Sequence, residues 1–225
     1  MSQMETNWKI YNLPFQEVIN EIEEDIIIVT DPPYNINFKY NKYIDRIPQE
    51  EYLDMLGGLI KNYPCVMIHY HETLHELTAH TQIIPDKIME WIYNSNNLRH
   101  HRAIAYYHCK PDLNKVRQPY KNYNDPRVKE MIRKGSKGAR SYDWWEIQQV
   151  KAGSKEKGIH PCQAPIKLMD NIIKVIPEDY VICDPFMGGG TTGVASLMNN
   201  RMFIGMELDE LYFNEAHRRL SGMLI

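Results

Sequence analysis

The sequence has few cysteines, and they are far apart. Only four occur in 225 residues, at positions 65, 109, 162 and 183, and no two have the Cys-x-x-Cys spacing that serves zinc binding or dithiol chemistry. We therefore expect reduced, structural cysteines.

Long apolar runs are missing as well. No segment approaches the roughly 18 apolar residues of a membrane span, and residues 1–12 lack the basic and then apolar pattern of a secretory leader. We therefore expect a cytoplasmic protein without a membrane partner. Its length and its 43% hydrophobic content favour one domain with an insertion over two complete domains.

The chain also lacks an overall excess of positive charge, since its formal net charge is −3. The charge is nevertheless unevenly distributed: residues 99–157 hold 15 Lys or Arg against 6 Asp or Glu, a net of +9, and the remainder carries −12. This segment is basic enough to face phosphates, although a solvated surface loop would have a similar composition.

The order of apolar patterns is typical of an α/β protein. Residues 25–30 form a continuous β-branched run, as in a strand buried on both faces of a parallel sheet. Further elements are predicted as follows: helices at 48–63, 72–84, 127–133, 165–176 and 191–199, a final helix ending at 220, and strands at 65–68, 88–93, 102–108, 180–183 and 202–207. Periodicity fades between residues 110 and 158, which we interpret as an insertion.

A glycine cluster lies between the predicted strand 180–183 and the helix after it. Gly188, Gly190 and Gly193 satisfy G-x-G-x-x-G, which lets a cofactor approach bare backbone. Glu207 follows Asp184 by 23 residues, near the roughly 20-residue offset at which an acidic side chain meets a nucleoside ribose. The pattern predicts a nucleoside-type cofactor without identifying it; the alternative is a tight turn followed by an ordinary surface glutamate.

The position of this glycine cluster predicts an unusual chain order. Only 18 residues follow Glu207, so the other strands of a doubly wound sheet must come from the N-terminal half. The strand that ends at Asp31 should then lie beside the glycine-loop strand, with both carboxyl ends opening on one crevice.

That N-terminal strand ends in Asp31-Pro32-Pro33-Tyr34. Two prolines remove two N–H donors and leave carbonyl acceptors beside a carboxylate. Such a site could accept both hydrogens of an aromatic amine, one on Asp31 and one on the Pro32 carbonyl, and so direct the nitrogen lone pair at an electrophile. Tyr34 would offer a stacking face to an extruded base; a Pro-stabilised turn is the alternative.

Four motifs in this order resemble those of the amino-group DNA methyltransferases in which the catalytic motif precedes the cofactor motif, the beta class. They are Asp31-Pro32-Pro33-Tyr34, His160-Pro161-Cys162-Gln163-Ala164-Pro165, the stretch from Asp184 to Thr192, and Gly205-Met206-Glu207. The resemblance implies a Rossmann-like, circularly permuted α/β fold with a doubly wound, mostly parallel sheet. It divides the chain into a catalytic half (1–109), a basic target-recognition insertion (110–158) and a cofactor-binding half (159–225).

The same resemblance implies the chemistry and the partners. It implies site-specific methyl transfer from S-adenosylmethionine to adenine N6 in double-stranded DNA by base flipping, without a metal, in an enzyme associated with the nucleoid of a bacterial or virus-infected cell. Family members with Asp rather than Ser at the first position of the tetrad usually modify adenine, so cytosine N4 is the alternative within the family. A homodimer is one assembly that the family commonly forms. The residues implied to bind the cofactor are Asn12, Asp31, His160, Pro161, Asp184, Phe186, Gly188, Gly190, Thr191, Thr192 and Glu207.

The basic insertion supplies the candidates for DNA contact. Its candidate phosphate-binding or guanine-binding residues are Arg117, Lys121, Arg133, Lys134, Lys137 and Arg140. The aromatic residues Tyr120, Tyr123, Trp144 and Trp145 could fill the gap left by a flipped base or belong to a local core.

Other classes of protein remain as alternatives. His71-Glu72-Thr73-Leu74-His75 matches the His-Glu-x-x-His motif of zinc peptidases, which requires both histidines in one helix. We expect His71 to follow the preceding strand too closely for that. A catalytically silent DNA-binding protein, or a methyltransferase acting on RNA or protein, would share parts of the pattern.

Overall fold

The computed structural model describes residues 7–95 and 98–223, and its centre is a mixed sheet of eight strands. The strand order is β1-β10-β9-β2-β3-β5-β4-β8. The strands of this sheet are β1 (Trp8–Tyr11), β2 (Ile26–Thr30), β3 (Cys65–His69), β4 (Lys87–Ile92), β5 (His101–Tyr107), β8 (Trp144–Glu146), β9 (Val181–Asp184) and β10 (Phe203–Met206).

The N-terminal and C-terminal halves of the chain meet in the middle of this sheet. Strand β2 pairs in parallel with β9, so that Ile28 lies opposite Cys183, and with β3 on its other side. Every residue of β2 is buried, because both faces of the sheet are covered. The predicted α/β fold and the predicted neighbour relation of the Asp31 strand and the glycine-loop strand are confirmed.

Helices cover both faces of the sheet. The described α-helices are α1 (Gln49–Asn62), α2 (His71–Thr81), α3 (Pro126–Arg133), α4 (Ile166–Val175), α5 (Thr191–Met198) and α6 (Glu210–Ser221), and all except α3 pack against the sheet. Helices α1 and α2 bury apolar residues in one core, and α4, α5 and α6 contribute to the core on the opposite face. In the part of the chain that the structure describes, no helix has the length and apolar character needed to cross a membrane.

The antiparallel pairs lie in the half of the sheet beyond β3, away from β1. Strand β5 pairs antiparallel with β3 and with β4. The short strand β1 was not predicted; it runs parallel to β10 at the opposite edge.

The basic segment is divided between a projecting part and the main sheet. Strands β6 (Arg117–Gln118) and β7 (Ala139–Arg140) form a separate antiparallel pair, and α3 buries none of its residues. Strand β8, by contrast, pairs in parallel with β4 and places Trp145 in the core. The three-part division at 110 and 158 remains a prediction, to which the structure adds that residues 144–146 join the main sheet.

Candidate active site

The two motifs at the carboxyl ends of β2 and β9 are joined by a buried hydrogen bond. The Thr30 hydroxyl, on the last residue of β2, donates to Asp184 Oδ1 at 2.7 Å. Since β2 and β9 are parallel neighbours, their carboxyl ends lie at the same edge of the sheet. Asp31 and the glycine loop therefore begin next to each other.

A cavity of about 280 Å³ opens at this position, close to the lower end of the range for small-molecule sites, roughly 300–1,000 Å³. The predicted site residues that line it are Asp31, Pro32, Pro33, Tyr34, His160, Phe186, Gly188 and Glu207. The predicted cofactor residues Asn12, Pro161, Asp184, Gly190, Thr191 and Thr192 are not among its lining residues. All four catalytic-motif residues thus share one cavity with the glycine loop.

Asp184 lies behind the cavity wall and organises the loop. Its side chain is 2% exposed and accepts from the hydroxyls of Thr30 and Thr192 (2.6 Å) and from the Phe186 backbone N–H at 3.1 Å. Burial raises its pKa to about 6, against these hydrogen bonds, which lower it. Its position is that of a residue that fixes the loop between β9 and α5.

The glycines let this loop pass close to its neighbours. Gly190 has a left-handed backbone with φ of 75°, and a Cβ there would lie 2.9 Å from Ala216 Cβ on α6. Arg219, also on α6, donates to the Gly189 carbonyl and to the Thr191 hydroxyl. Gly190 and Thr191 therefore shape the contact between the loop and α6.

Glu207 is held at the cavity by backbone amides. Its carboxylate accepts from the N–H groups of Gly188 at 3.0 Å and Asp209 at 2.8 Å, and burial raises its pKa. Asn12 donates to the backbone carbonyls of Glu207 and Leu208. Glu207 thus follows the strand next to the glycine loop, as the sequence predicts, and Asn12 supports its backbone.

His160 closes the cavity beside the glycine loop. A Cβ on Gly188 would lie 3.2 Å from its ring, and Tyr212 packs edge-on against it at 4.5 Å. Burial, chiefly, lowers its pKa to about 4, which keeps the imidazole neutral near pH 7. Pro161, next along the chain, is exposed, and its carbonyl accepts from Lys157 at 3.5 Å.

The carboxylate of Asp31 has two partners on its own side of the cavity. Oδ1 accepts from the Tyr34 hydroxyl at 2.5 Å, and Oδ2 lies 3.4 Å from Arg102 Nη1. Burial raises the Asp31 pKa, while the Arg102 charge and the Tyr34 hydrogen bond oppose that shift. An amine that binds Asp31 Oδ1 must therefore share this oxygen with the Tyr34 hydroxyl or displace that hydroxyl.

Arg102 is a residue of this site that the sequence analysis missed. Strand β5 directs it away from the face that carries His101, and its guanidinium lies 4.9 Å from the Tyr34 ring centre and 5.1 Å from that of Trp91. Its basic character within the positively charged segment gave no sign of burial. Its position at the start of the predicted strand 102–108 was the only available signal.

The prolines are supported by a chain of hydrogen bonds from β3. The Tyr70 N–H donates to His69 Nδ1 at 2.8 Å, so the proton of the neutral ring is on Nε2, which lies 2.6 Å from the Tyr52 hydroxyl. Tyr52 in turn donates to the Pro33 carbonyl at 2.6 Å. Burial lowers the His69 pKa to about 3, so the ring stays neutral. Among the described residues nothing donates to the Pro32 carbonyl, which leaves it as an acceptor for a ligand.

The cavity wall combines aromatic rings with an excess of carboxylates. Its aromatic residues are Phe15, Tyr34, Phe38, Tyr40, Tyr43, Tyr70, Phe186 and Tyr212, and its charged residues are Asp31, Lys42, Asp45, Arg102, Glu207 and Asp209. The Tyr43 hydroxyl is buried and has no hydrogen-bond partner among the described residues. Aromatic faces and carboxylates attract a cation, so the wall suits a cationic ligand with an aromatic part.

The six predicted DNA-contacting residues are all exposed, but two of them form ion pairs with a carboxylate. Arg133 and Lys134 both pair with Glu130 on α3. Arg117, Lys121, Lys137 and Arg140 form no ion pair with any described residue. Arg117 and Arg140 lie opposite each other in the β6–β7 pair.

The insertion's aromatic residues divide into two groups. Tyr120 and Trp145 are 8% and 5% exposed and donate or share hydrogen bonds with Ser136 and Ser141. Tyr123 and Trp144 are 55% and 40% exposed. Of these four residues, the second pair is the more exposed, and one face of Trp144 stacks on Tyr142.

The expectation that His71 lies outside a helix is wrong. Helix α2 begins at His71, because the single extended residue Tyr70 suffices to turn the chain after β3. The histidines of the His-Glu-x-x-His motif thus do share a helix, but Glu72 pairs with Arg99 at 3.0 Å and His80 with Asp54 at 2.7 Å. Both Glu72, in the first turn of α2, and His80, in its last turn, therefore already have charged partners.

The chain is similar in sequence to known proteins. A family model described as DNA methylase matches residues 67–218. The chain is 27% identical to the type II methyltransferase M.BglII of Bacillus subtilis over an alignment 252 positions long. The alignment covers 95% of this chain and 69% of that relative.

Solved structures agree in fold. The crystal structure of the M1.HpyAVI–SAM complex superposes with a TM-score of 0.58 at 24% identity, covering 94% of this chain and 99% of the other. The cytosine-N4-specific PvuII DNA methyltransferase gives a TM-score of 0.66 at 16% identity, covering 96% and 91%. Because the family model spans more than half of the chain and the fold agrees throughout, the chain belongs to the DNA methylase family of N6 and N4 amino-methyltransferases.

Proposed function

We propose that this protein transfers a methyl group from S-adenosylmethionine to the N6 amine of adenine in double-stranded DNA. The observation that carries the proposal is the single cavity lined by Asp31 to Tyr34 on one side and by Phe186, Gly188 and Glu207 on the other. A donor and an acceptor bound in such a cavity would be held in contact, which removes much of the entropic barrier to their reaction.

The residues that would hold the cofactor fit its chemistry. Glu207, already fixed by two amides, would accept from the ribose hydroxyls, and Gly188, which also lines the cavity, would contact the methionine part. The aromatic and acidic wall would stabilise the cation. When bound, the cofactor supplies a methyl group on a sulfonium, whose positive charge is lost on transfer.

The acceptor side fits a flipped base. The Asp31 carboxylate and the Pro32 carbonyl would accept the two hydrogens of the exocyclic amine, and Tyr34 would stack on the ring. Positive charge develops on the attacking nitrogen, and the anion of Asp31 would stabilise it in a site of low dielectric constant. Arg102 and Tyr34 would keep that carboxylate ionised and oriented before the base arrives.

Adenine is favoured over cytosine by the first residue of the tetrad. The resemblance described above associates Asp at position 31 with adenine, whereas Ser at this position is associated with cytosine N4. The exposed, unpaired cations of the insertion would bind the phosphates of the duplex.

The test is incubation of the purified protein with radiolabelled S-adenosylmethionine and mixed-sequence duplex DNA, followed by nucleoside analysis. Labelled N6-methyladenine is the expected product. Labelled N4-methylcytosine would overturn the adenine assignment alone. Label in the protein instead of the DNA, or no label in DNA despite cofactor binding, would overturn the proposal as a whole.

A further inference from the structure

A group of three metal-ligating side chains lies outside the cavity, on the face of the sheet that α2 covers. It consists of His71 at the start of α2, Glu90 on β4 and His101 on β5. One ligand atom of each residue lies within 4.8 Å of those of the other two. Three separate elements thus direct two imidazoles and one carboxylate to one place.

The backbone explains this convergence. In the antiparallel β4–β5 pair, Glu90 lies opposite Ala103 and Ile92 lies opposite His101, so Glu90 and His101 are diagonal neighbours on one face. Arg102 pairs with Trp91, between these two residue pairs, so its side chain lies on the opposite face of the sheet, where it lines the active-site cavity. Helix α2 begins above this face, which places His71 Nε2 2.8 Å from Glu90 Oε1.

The hydrogen bond between His71 and Glu90 leaves acceptor capacity unused. Glu90 Oε2 is buried and has no hydrogen-bond partner among the described residues, a costly state for a carboxylate oxygen. The His101 imidazole lies 5.7 Å, between ring centres, from that of His71. A cation among the three residues would engage the unpaired carboxylate.

We propose that His71, Glu90 and His101 bind a divalent transition metal ion, with Zn²⁺ as the preferred ion. Two imidazole nitrogens and one carboxylate oxygen form a common zinc ligand set with one open position. Ions such as Mg²⁺ and Ca²⁺ are disfavoured because they prefer oxygen ligands and would find only one carboxylate. Bonds of about 2.0–2.2 Å require ligand atoms about 3.4 Å apart, which small side-chain rotations achieve from the observed positions.

This site differs from a His-Glu-x-x-His zinc site. It uses the first histidine of that motif but replaces the second, His75, with two ligands from the sheet. Glu72, the residue that would act as base in a peptidase, is paired with Arg99. The metal would therefore lack that base, and its three ligands would tie the start of α2 to β4 and β5.

Its position gives the metal a connection to the active site. Tyr70 immediately precedes His71, lines the cavity and packs edge-on against Tyr34, with ring centres 4.6 Å apart. Fixing His71 would fix the adjoining part of the cavity wall. The methyl transfer itself would proceed without the metal, because none of the three ligands lines the cavity.

The experiment titrates Co²⁺ and Zn²⁺ into tag-free, EDTA-treated protein, with visible d–d absorption and calorimetry as readouts. We expect one metal ion per chain at this site. His71→Ala and His101→Gln should each lower the affinity by more than roughly 100-fold, since each removes a direct ligand. His80→Ala is the matched control: it lies on the same helix and pairs with Asp54, so its affinity should equal that of the unaltered protein.

Two results would overturn the proposal: no saturable binding, or binding that both ligand variants retain. Loss of binding in His75→Ala but not in His101→Gln would assign the metal to the helix motif instead. Circular dichroism of each variant separates loss of a ligand from loss of the fold. None of these readouts requires methyl transfer, so the test stands independently of the proposed reaction.

Discussion

The four unpaired cations of the insertion provide a quantitative test of DNA binding. Arg117, Lys121, Lys137 and Arg140 are exposed and have no ion-pair partner among the described residues. Each phosphate contact contributes about 0.9 to the slope of log affinity against log salt. Four contacts predict a slope near −3.6, which corresponds to a loss of affinity of about 150-fold between 50 and 200 mM salt.

Replacing two of these cations should halve the slope. The double variant Lys137→Gln/Arg140→Gln retains two contacts, so we expect a slope near −1.8 and a loss of only about 12-fold over the same salt range. The assay is fluorescence anisotropy of a labelled duplex, repeated at several NaCl concentrations.

The control removes two charges from the same segment that are already paired. Arg127 pairs with Asp125 and Arg133 with Glu130, so Arg127→Gln/Arg133→Gln should leave the slope close to its original value. An unchanged slope in the Lys137/Arg140 variant would refute this use of the insertion. Equal changes in both double variants would show that total charge, rather than pairing, determines binding.

Three further substitutions test the cavity. Arg102→Gln removes the charge that opposes the burial-induced rise of the Asp31 pKa, so that pKa should rise further. The acidic limb of kcat/KM, where Asp31 becomes protonated, should then move to higher pH, and Arg102→Lys should largely restore its original position. An unmoved limb in Arg102→Gln would contradict the role of Arg102 in keeping Asp31 ionised. Glu207→Ala should weaken S-adenosylmethionine binding by roughly 10- to 150-fold, or about 1.5–3 kcal/mol, in calorimetry, and an unchanged Kd would remove Glu207 from the cofactor site. Thr192→Val deletes the buried hydrogen bond to Asp184. It should lower the free energy of unfolding, measured by urea titration, by about 1–3 kcal/mol. A loss below about 0.5 kcal/mol would show that this hydrogen bond does not stabilise the loop.

The centre of the fold was predictable because its signals are local. The β-branched run before Asp31 predicts a strand buried on both faces, and the glycines after Asp184 predict a tight turn into a helix. The order of the two motifs along the chain predicts that these strands are neighbours. The observed β2–β9 pairing confirms that argument.

The remaining features depend on contacts between distant residues. Strand β1 is only four residues long and half-buried, so its pattern is too weak to identify without its partner β10. Arg102 is largely covered by Tyr34 in the loop after β2, Tyr70 directly after β3 and Trp91 on β4. Trp145 is buried through the pairing of β8 with β4. The helix that begins at His71 depends on one extended residue, which periodicity does not resolve.

The measurement that tests the central claim most directly compares unaltered protein with Asp31→Ala in methyl transfer and in cofactor binding. We expect the variant to lose transfer of label to adenine while its Kd for S-adenosylmethionine, measured by calorimetry, changes little, because Glu207 and the glycine loop are untouched. A variant that still methylates adenine at a comparable rate would contradict the proposal that Asp31 binds the reacting amine.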